Sequence, residues 1–207
     1  MSRYTGPRIK VLRALGVDLP GLSRKSMSVH PQPPGQHGAR KAISSRHSEY
    51  GMQLMEKQKL RFNYGVSERG LRRIVRAAKQ QRGQTGAKIV EFLERRLDNL
   101  VFRAGFAPTI PAARQLVNHG HIQLNGRRVT TPSIRVKVGG VFGPTETGKK
   151  LDLVRASLKE PALLRPEWIK FDDAVLSATL AYIPDGLDAA PFPLDLQRVV
   201  EYYAKRI

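Results

Sequence analysis

Six lysine or arginine residues and no aspartate or glutamate occur between residues 101 and 140. A merely solvated surface mixes charges of both signs, whereas cations without neighbouring acids can neutralise phosphate groups. The six cations of this stretch are Arg103, Arg114, Arg127, Arg128, Arg135 and Lys137, and Arg96 lies just before it. The chemistry that these residue types favour is phosphate binding, which requires elements that hold their side chains on the surface.

The first element is a helix with an apolar stripe. Apolar residues recur at helical spacing from Leu93 to Ala104, which marks a buried side. Arg96, Asn99 and Arg103 are spaced i, i+3 and i+7 and should form a separate face that looks outward. Gly105 is expected to end the helix because glycine accepts the left-handed conformation. The sequence does not tell whether a helix that starts after Thr85 runs straight through Arg96 or bends there.

A second helix should follow, capped by the hydroxyl of Thr109 and with Pro111 in its first turn. Its apolar positions point inward, while Arg114, Gln115 and His119 lie on the polar arc, and Gly120 ends it.

A β-hairpin is predicted next. Asn125-Gly126 separates the short runs 122–124 and 127–129, and Asn-Gly is favoured where both turn residues need positive φ. Residues 133–138 alternate between apolar and cationic, which predicts a strand with Arg135 and Lys137 outward.

Other chemistries find little support in the sequence. There is no cysteine, so no disulfide or thiolate metal site is expected, and the scattered histidines do not form a metal-ligand pattern. Residues 143–150 approach a phosphate-binding loop, but Lys150 stands where a Ser or Thr should bind Mg²⁺ and Pro144 removes a backbone amide. We expect no cofactor and no metal.

The distribution of net charge indicates that a polyanionic partner would bind to the first two thirds of the chain. The formal charge is +19, with 27 Lys/Arg against 7 acids in residues 1–140 and 9 against 10 in residues 141–207. Such a basic chain favours nucleic acid as partner. No apolar run reaches membrane-spanning length, and the first residues lack the apolar core of a secretory signal. The acid-poor start also leaves an organellar location open.

Residues 1–47 carry nine Lys/Arg and one acid, interrupted by Gly and Pro, so this tail should be extended or disordered until bound.

The pattern of residues 48–82 predicts two helices capped by Ser48 and Ser67. In the second, Arg72, Arg73 and Arg76 should cover the arc opposite the apolar stripe. Further on, we expect one amphipathic turn or a short helix at 151–158, strands at 166–171 and 176–182, a loop at 184–193 and a last helix at 194–204.

The stretch 93–138 resembles the small RNA-binding domain shared by ribosomal protein four of the small subunit, some pseudouridine synthases and bacterial tyrosyl-tRNA synthetases. The matching residues are Arg96-Leu97-Asp98, Arg103, Gly105, Ala113-Arg114-Gln115-Leu116-Val117, His119-Gly120, Asn125-Gly126 and Val129. Further blocks resemble the bacterial-type ribosomal protein four family over the whole chain, namely 3–8, 33–41, 56–66 and 201–203. Ile9 and Leu12 occupy positions of two zinc-binding cysteines found in many members, so the chain resembles a zinc-free member.

This resemblance implies an α+β fold in which a helical domain is followed by a two-helix and hairpin RNA-binding domain extended by an antiparallel sheet. The implied domains are a basic extension 1–47, a helical domain 48–95 joined by helix 194–207, an RNA-binding domain 97–160 and a sheet extension with loop 161–193. It also implies a structural role in the small ribosomal subunit, in the cytoplasm. The protein would bind ribosomal RNA, nucleate assembly of the subunit body and, with two neighbouring ribosomal proteins, affect translational accuracy. Arg40, Lys41 and Arg46 lie where the family faces incoming messenger RNA.

The RNA contacts expected outside the central stretch come from the tail and the helical domain: Arg3, Tyr4, Arg8, Gln36, His37, Arg40, Lys41, Arg46, Lys57, Lys59, Arg72, Arg73 and Arg76. Two alternatives remain, a stand-alone pseudouridine synthase-like enzyme and a general nucleic-acid-binding protein. Asp98 would be the catalytic residue of such an enzyme. However, we expect it to pair with Arg95, and only about seventy residues follow the binding unit, too few for a further catalytic domain of typical size.

Overall fold

The computed structural model describes residues 4–28, 30–38, 48–186, 189–204 and 206. The chain divides into two compact units, one formed by Met1–Val90 with Gly186–Ile207 and the other by Glu91–Asp185. The helices are α1 (Arg8–Leu15), α2 (Glu49–Asn63), α3 (Glu68–Lys79), α4 (Thr85–Glu94), α5 (Leu97–Arg103), α6 (Ile110–Asn118), α7 (Glu146–Lys149), α8 (Asp152–Lys159) and α9 (Leu196–Ala204). The strands are β1 (Ile122–Leu124), β2 (Arg127–Val129), β3 (Val141–Pro144), β4 (Ile169–Asp172) and β5 (Ser177–Leu180). The predicted α+β class is confirmed.

Helices form the first unit, in which α9 and α1 both contact α2. Ser48 and Ser67 accept the hydrogen bonds of Gly51 and Gly70, so both predicted N-caps are confirmed. Each cap satisfies an amide that the first helical turn leaves without a partner.

The described part of the N-terminal tail is not simply extended, so that prediction was wrong. Residues 8–15 form α1, which ends at Gly16 with φ +65°. Leu12 has no exposed surface, and Leu15, Leu19 and Leu22 are buried as well. The segment cannot bury these leucines alone, but it can against α2, and Asn63 of α2 also accepts the amide hydrogen of Gly21 at 2.9 Å.

A break between α4 and α5 organises the second unit. Arg96 is extended, with φ −67° and ψ 139°, so the helix that starts at Thr85 does not continue through it. The segment after Pro132 stabilises the break by forming hydrogen bonds with backbone groups that no longer pair within a helix. The amide of Leu97 donates to the carbonyl of Ile134, and the amide of Val136 donates to the carbonyl of Arg95, both at 2.9 Å.

The predicted strand 133–138 was therefore wrong, because this segment makes only one isolated β-bridge, from Arg135 to Arg96. Turns bound it on both sides, and Val138 is 49% exposed rather than inward.

The hairpin β1–β2 is confirmed with the predicted bounds. Asn125 and Gly126 have φ of +50° and +76°, and Ile122 lies opposite Val129. The sheet has the order β2-β1-β3-β5-β4, antiparallel throughout. The expected helix at 151–158 and the two late strands are α8, β4 and β5, and residues 146–149 of the predicted loop form the single turn α7. Apolar side chains of this unit, such as Ile122, Phe142 and Leu180, form its core.

Candidate nucleic-acid interface

Four cations and one amide form what we call the hairpin surface: Asn125, Arg127, Arg128, Arg135 and Lys137. All five side chains are exposed. The β-turn places Asn125 at the tip, where its Oδ1 accepts the amide hydrogen of Val141 at 2.9 Å. In the part of the chain that the structure describes, none of the four cations has a carboxylate partner.

Arg128 is held in place by the end of α6. Its Nη2 donates to the backbone carbonyl of His119 at 3.1 Å, and its guanidinium lies against Gly120. Gly120 has φ +72°, and a Cβ there would lie only 2.0 Å from Arg128 Nε. The glycine that ends α6 thus also makes room for the cation.

Arg135 is positioned by an aromatic ring, since its guanidinium carbon lies 4.5 Å from the centre of the Phe92 ring. A guanidinium over an aromatic face keeps its charge available to an anion while its position is restricted.

Arg96 and Arg114 do not belong to this surface, and the expectation that they face outward was wrong. Arg96 donates from Nε and Nη2 to the two oxygens of Asp98 at 3.0 and 2.7 Å. Arg114 donates from Nε and Nη2 to Asp98 Oδ2 at 3.1 and 2.6 Å. The carboxylate is fully buried, and the two side chains are only 12% and 20% exposed. Asp98 does not pair with Arg95 as predicted, because Arg95 donates to Glu91 at 2.8 Å instead.

Asn99 and Arg103 are also internal, again contrary to the expectation. Both donate to Glu94 Oε2, at 2.8 and 3.2 Å, and Glu94 has no exposed surface. The guanidinium carbon of Arg103 lies 5.3 Å from the centre of the Trp168 ring. A buried carboxylate requires such partners because an unpaired buried charge is strongly unfavourable. The predicted face of the first helix is therefore a set of internal ion pairs, and of the seven cations expected to bind phosphate, Arg127, Arg128, Arg135 and Lys137 remain exposed.

Gln115 on α6 and His119 at its C-terminal cap are both exposed, as the polar arc predicted. The backbone carbonyl of His119 accepts the hydrogen bond from Arg128.

The first unit carries a separate basic face on α3. Arg72, Arg73 and Arg76 are exposed, and Arg72 makes a long contact of 3.6 Å with Glu68. Arg69 is exposed on the same helix; its spacing to Arg72 and Arg76 was the signal that sequence reasoning missed.

Lys57 and Lys59 were expected to contact RNA, but they are buried and paired. Lys57 donates to Glu68 at 3.0 Å and Lys59 to Glu56 at 2.6 Å. Burial alone would raise the pKa of Glu68, but the hydrogen bonds from Lys57 and Tyr203 outweigh it, so the pKa is lowered. Burial and the hydrogen bond to Glu68 raise the pKa of Tyr203, which keeps its hydroxyl a donor.

Among the tail residues, Tyr4, Arg8, Gln36 and His37 are exposed. Tyr4 also contacts the ring of Phe62, with ring centres 5.3 Å apart. Arg3, Arg40, Lys41 and Arg46 lie outside the described residues.

Within the described ranges, no cluster of three His, Asp or Glu side chains is arranged to hold a metal ion. No described helix combines the length and apolar character needed to cross a membrane.

Comparison with known proteins gives two matching family models. Residues 3–94 match the ribosomal protein S4/S9 N-terminal domain, and residues 95–142 match the S4 domain. The small ribosomal subunit protein uS4 of Methylobacillus flagellatus is 55% identical over 207 residues, and protein uS4B of Nitrosomonas europaea is 53% identical over 207 residues; both alignments cover the whole of both chains. The uS4 protein of Synechococcus sp. (strain JA-3-3Ab) is 46% identical over 208 residues, again at full coverage. The chain belongs to the family of small ribosomal subunit protein uS4.

Proposed function

We propose that this protein is a structural constituent of the small ribosomal subunit that binds the ribosomal RNA of that subunit directly. Membership of the uS4 family supports the structural ribosomal role. The observation that carries direct RNA binding is the hairpin surface, whose four exposed cations are contributed by an acid-free stretch of chain.

The cations of the hairpin surface would bind phosphate oxygens, which fix the position of the protein on folded RNA. Asn125, Gln115 and His119 would form hydrogen bonds with ribose hydroxyls or exposed bases, and contacts with the 2′-hydroxyl would distinguish RNA from DNA. Arg96, Arg103 and Arg114 would act indirectly, because their ion pairs fix the helices that carry the exposed residues.

Exposed cations on α3 would provide a second contact with RNA. With Arg72, Arg73 and Arg76 added to the hairpin surface, seven cations are available for phosphates. For duplex-like RNA, the affinity should then fall by roughly three to four decades between 50 and 200 mM salt.

We also propose the finer roles that the family resemblance implies. The protein would nucleate assembly of the subunit body on ribosomes in the cytoplasm and, beside two neighbouring ribosomal proteins, affect translational accuracy. Arg40, Lys41 and Arg46 would face incoming messenger RNA, and Arg3, Tyr4, Arg8, Gln36 and His37 would contact ribosomal RNA.

A pseudouridine synthase-like activity is disfavoured by Asp98, whose carboxylate is fully buried and bound by two arginines. A catalytic carboxylate has to reach its substrate.

The test of the proposal is competition between in vitro transcribed small-subunit ribosomal RNA and duplex DNA of equal nucleotide concentration at moderate salt. A clear preference for the ribosomal RNA is expected. Equal affinity would instead assign the protein to general nucleic-acid binding, and absence from small-subunit fractions of a sedimented lysate would contradict the ribosomal role.

A further inference from the structure

A groove between α6 and the start of α8 lies beside the hairpin surface and has a volume of about 240 Å³. Leu116 and Leu153 give it apolar walls, and Gln115, His119, His121 and Asp152 add polar groups. Pockets for drug-sized ligands generally start near 300 Å³, so the groove suits a smaller flat group.

We propose that this groove receives one unpaired nucleobase of the bound RNA. The inference rests on the proposed RNA-binding function and goes beyond it by assigning a base-recognition site to residues on α6 and α8. Proteins read RNA sequence mainly at unpaired bases, which stack on aromatic side chains and form hydrogen bonds at their edges.

Stacking surfaces are available in the groove. The imidazole of His119 is exposed, and its centre lies 6.2 Å from that of His121 at an angle of 61°. Leu153 is 43% exposed although it is apolar. A base stacked on the exposed ring of His119 and packed against Leu153 would cover apolar surface that now faces water.

The groove also offers both kinds of hydrogen-bonding group that a base edge needs. Asp152 is an acceptor, and the side-chain amide of Gln115 can accept and donate. Nδ1 of His121 is buried and has no hydrogen-bond partner among the described residues. Leu151 at the N-cap of α8 makes no side-chain cap, so the amides of Asp152 and Leu153, the first two of that helix, can donate to a base.

Charge favours RNA over another occupant. Arg128 of the hairpin surface is bonded to the carbonyl of His119, which lines the groove. A phosphate held by Arg128 would therefore bring its own nucleotide, or the next one, to the groove entrance. An acidic or apolar peptide would not make use of both the cation and the mixed donors and acceptors inside.

The test is the variant Ala112→Leu, because Ala112 lines the groove and the larger side chain would fill it without changing any charge. Ala156→Leu is the matched control, an exposed position on α8 that does not line the groove. Affinity is measured for in vitro transcribed small-subunit ribosomal RNA and for a fully paired RNA duplex. Base stacking is worth about 1–3 kcal/mol, so we expect Ala112→Leu to weaken binding of the ribosomal RNA about 5- to 150-fold, with unchanged duplex affinity and an unaffected control.

Equal affinity of Ala112→Leu and the control for ribosomal RNA would overturn the base site and leave phosphate binding by the hairpin surface intact. An equal loss for ribosomal RNA and duplex would also overturn it. Failure of the unchanged protein to prefer ribosomal RNA over duplex DNA would overturn the proposed function as well. Ultraviolet crosslinking of the unchanged protein in assembled small subunits provides a second measurement. A base crosslinked to the peptide 115–121 or 151–153 supports the site, whereas crosslinks of these peptides only to a neighbouring protein contradict it.

Discussion

Replacing Asp98 by asparagine should destabilise the second unit strongly. The carboxylate is fully buried and accepts four hydrogen bonds from Arg96 and Arg114, between 2.6 and 3.1 Å. Removing one partner of a buried ion pair typically costs about 3–5 kcal/mol. Because both guanidinium groups keep some exposure to solvent, we expect about 3 kcal/mol.

Urea unfolding followed by tryptophan fluorescence measures this effect in the relevant unit. Trp168 is the only tryptophan of the chain and belongs to the same compact unit as Asp98. With an m-value of about 2 kcal/mol per M, the unfolding midpoint of Asp98→Asn should fall by about 1.5 M. Asp173→Asn is the matched control, since Asp173 is exposed in the same unit and should shift the midpoint little.

A midpoint of Asp98→Asn equal to that of the control would refute the assignment of Arg96 and Arg114 as internal ion-pair partners. The coupling can be checked with Arg114→Met in the Asp98→Asn background. That change removes one of the two cations left without a carboxylate, so it should cost less there than it does in the unchanged protein.

Three further changes have defined outcomes. Because the pKa of Glu68 is lowered, its contribution to stability is present above about pH 4.5 and is lost as the pH falls through the folded-state pKa. In the variant Glu68→Gln, the free energy of unfolding should therefore decrease less steeply as the pH is lowered in this range. Gly120→Ala and Gly126→Ala both strain a residue with positive φ, but only Gly120→Ala displaces Arg128. Only Gly120→Ala should therefore reduce the salt dependence of RNA binding, by about one phosphate contact. Equal salt slopes for the two variants would contradict the anchoring of Arg128. Ser67→Ala should lower the thermal unfolding free energy by about 1 kcal/mol through loss of the α3 cap, and an unchanged melting temperature would argue against that cap.

Features fixed by neighbouring residues were predictable from the sequence. The caps at Ser48, Ser67 and Thr109 and the Asn125-Gly126 turn follow from local backbone chemistry, and each forms as expected. The hairpin β1–β2 also has its predicted bounds for the same reason.

Features that depend on distant partners were not predictable in this way. The acids that neutralise Arg96, Arg103 and Arg114 are Glu94 and Asp98, which lie just outside the acid-free stretch, so counting charges along residues 101–140 overlooked them. Helical spacing placed Arg96 and Arg103 on a common face, but the chain is extended at Arg96 and the two side chains pair with different acids.

The strand predicted at 133–138 failed for a related reason. Its alternation is real, but its backbone partner is the break between α4 and α5 rather than another strand. The extended tail was predicted because the leucines after Pro7 are too few to form a core by themselves. In the structure they are buried because α1 packs against α2.

The most direct test of the account is the salt dependence of binding to small-subunit ribosomal RNA after neutralising the hairpin surface. In this variant glutamine replaces four residues: Arg127, Arg128, Arg135 and Lys137. Lys159→Gln with Lys170→Gln serves as control, since both lysines are exposed outside the hairpin surface. Each phosphate contact contributes about 0.7–0.9 to the slope of log affinity against log salt concentration, so the slope should become shallower by about three in the variant and stay constant in the control. An unchanged slope in the variant would contradict the claim that this surface holds the RNA.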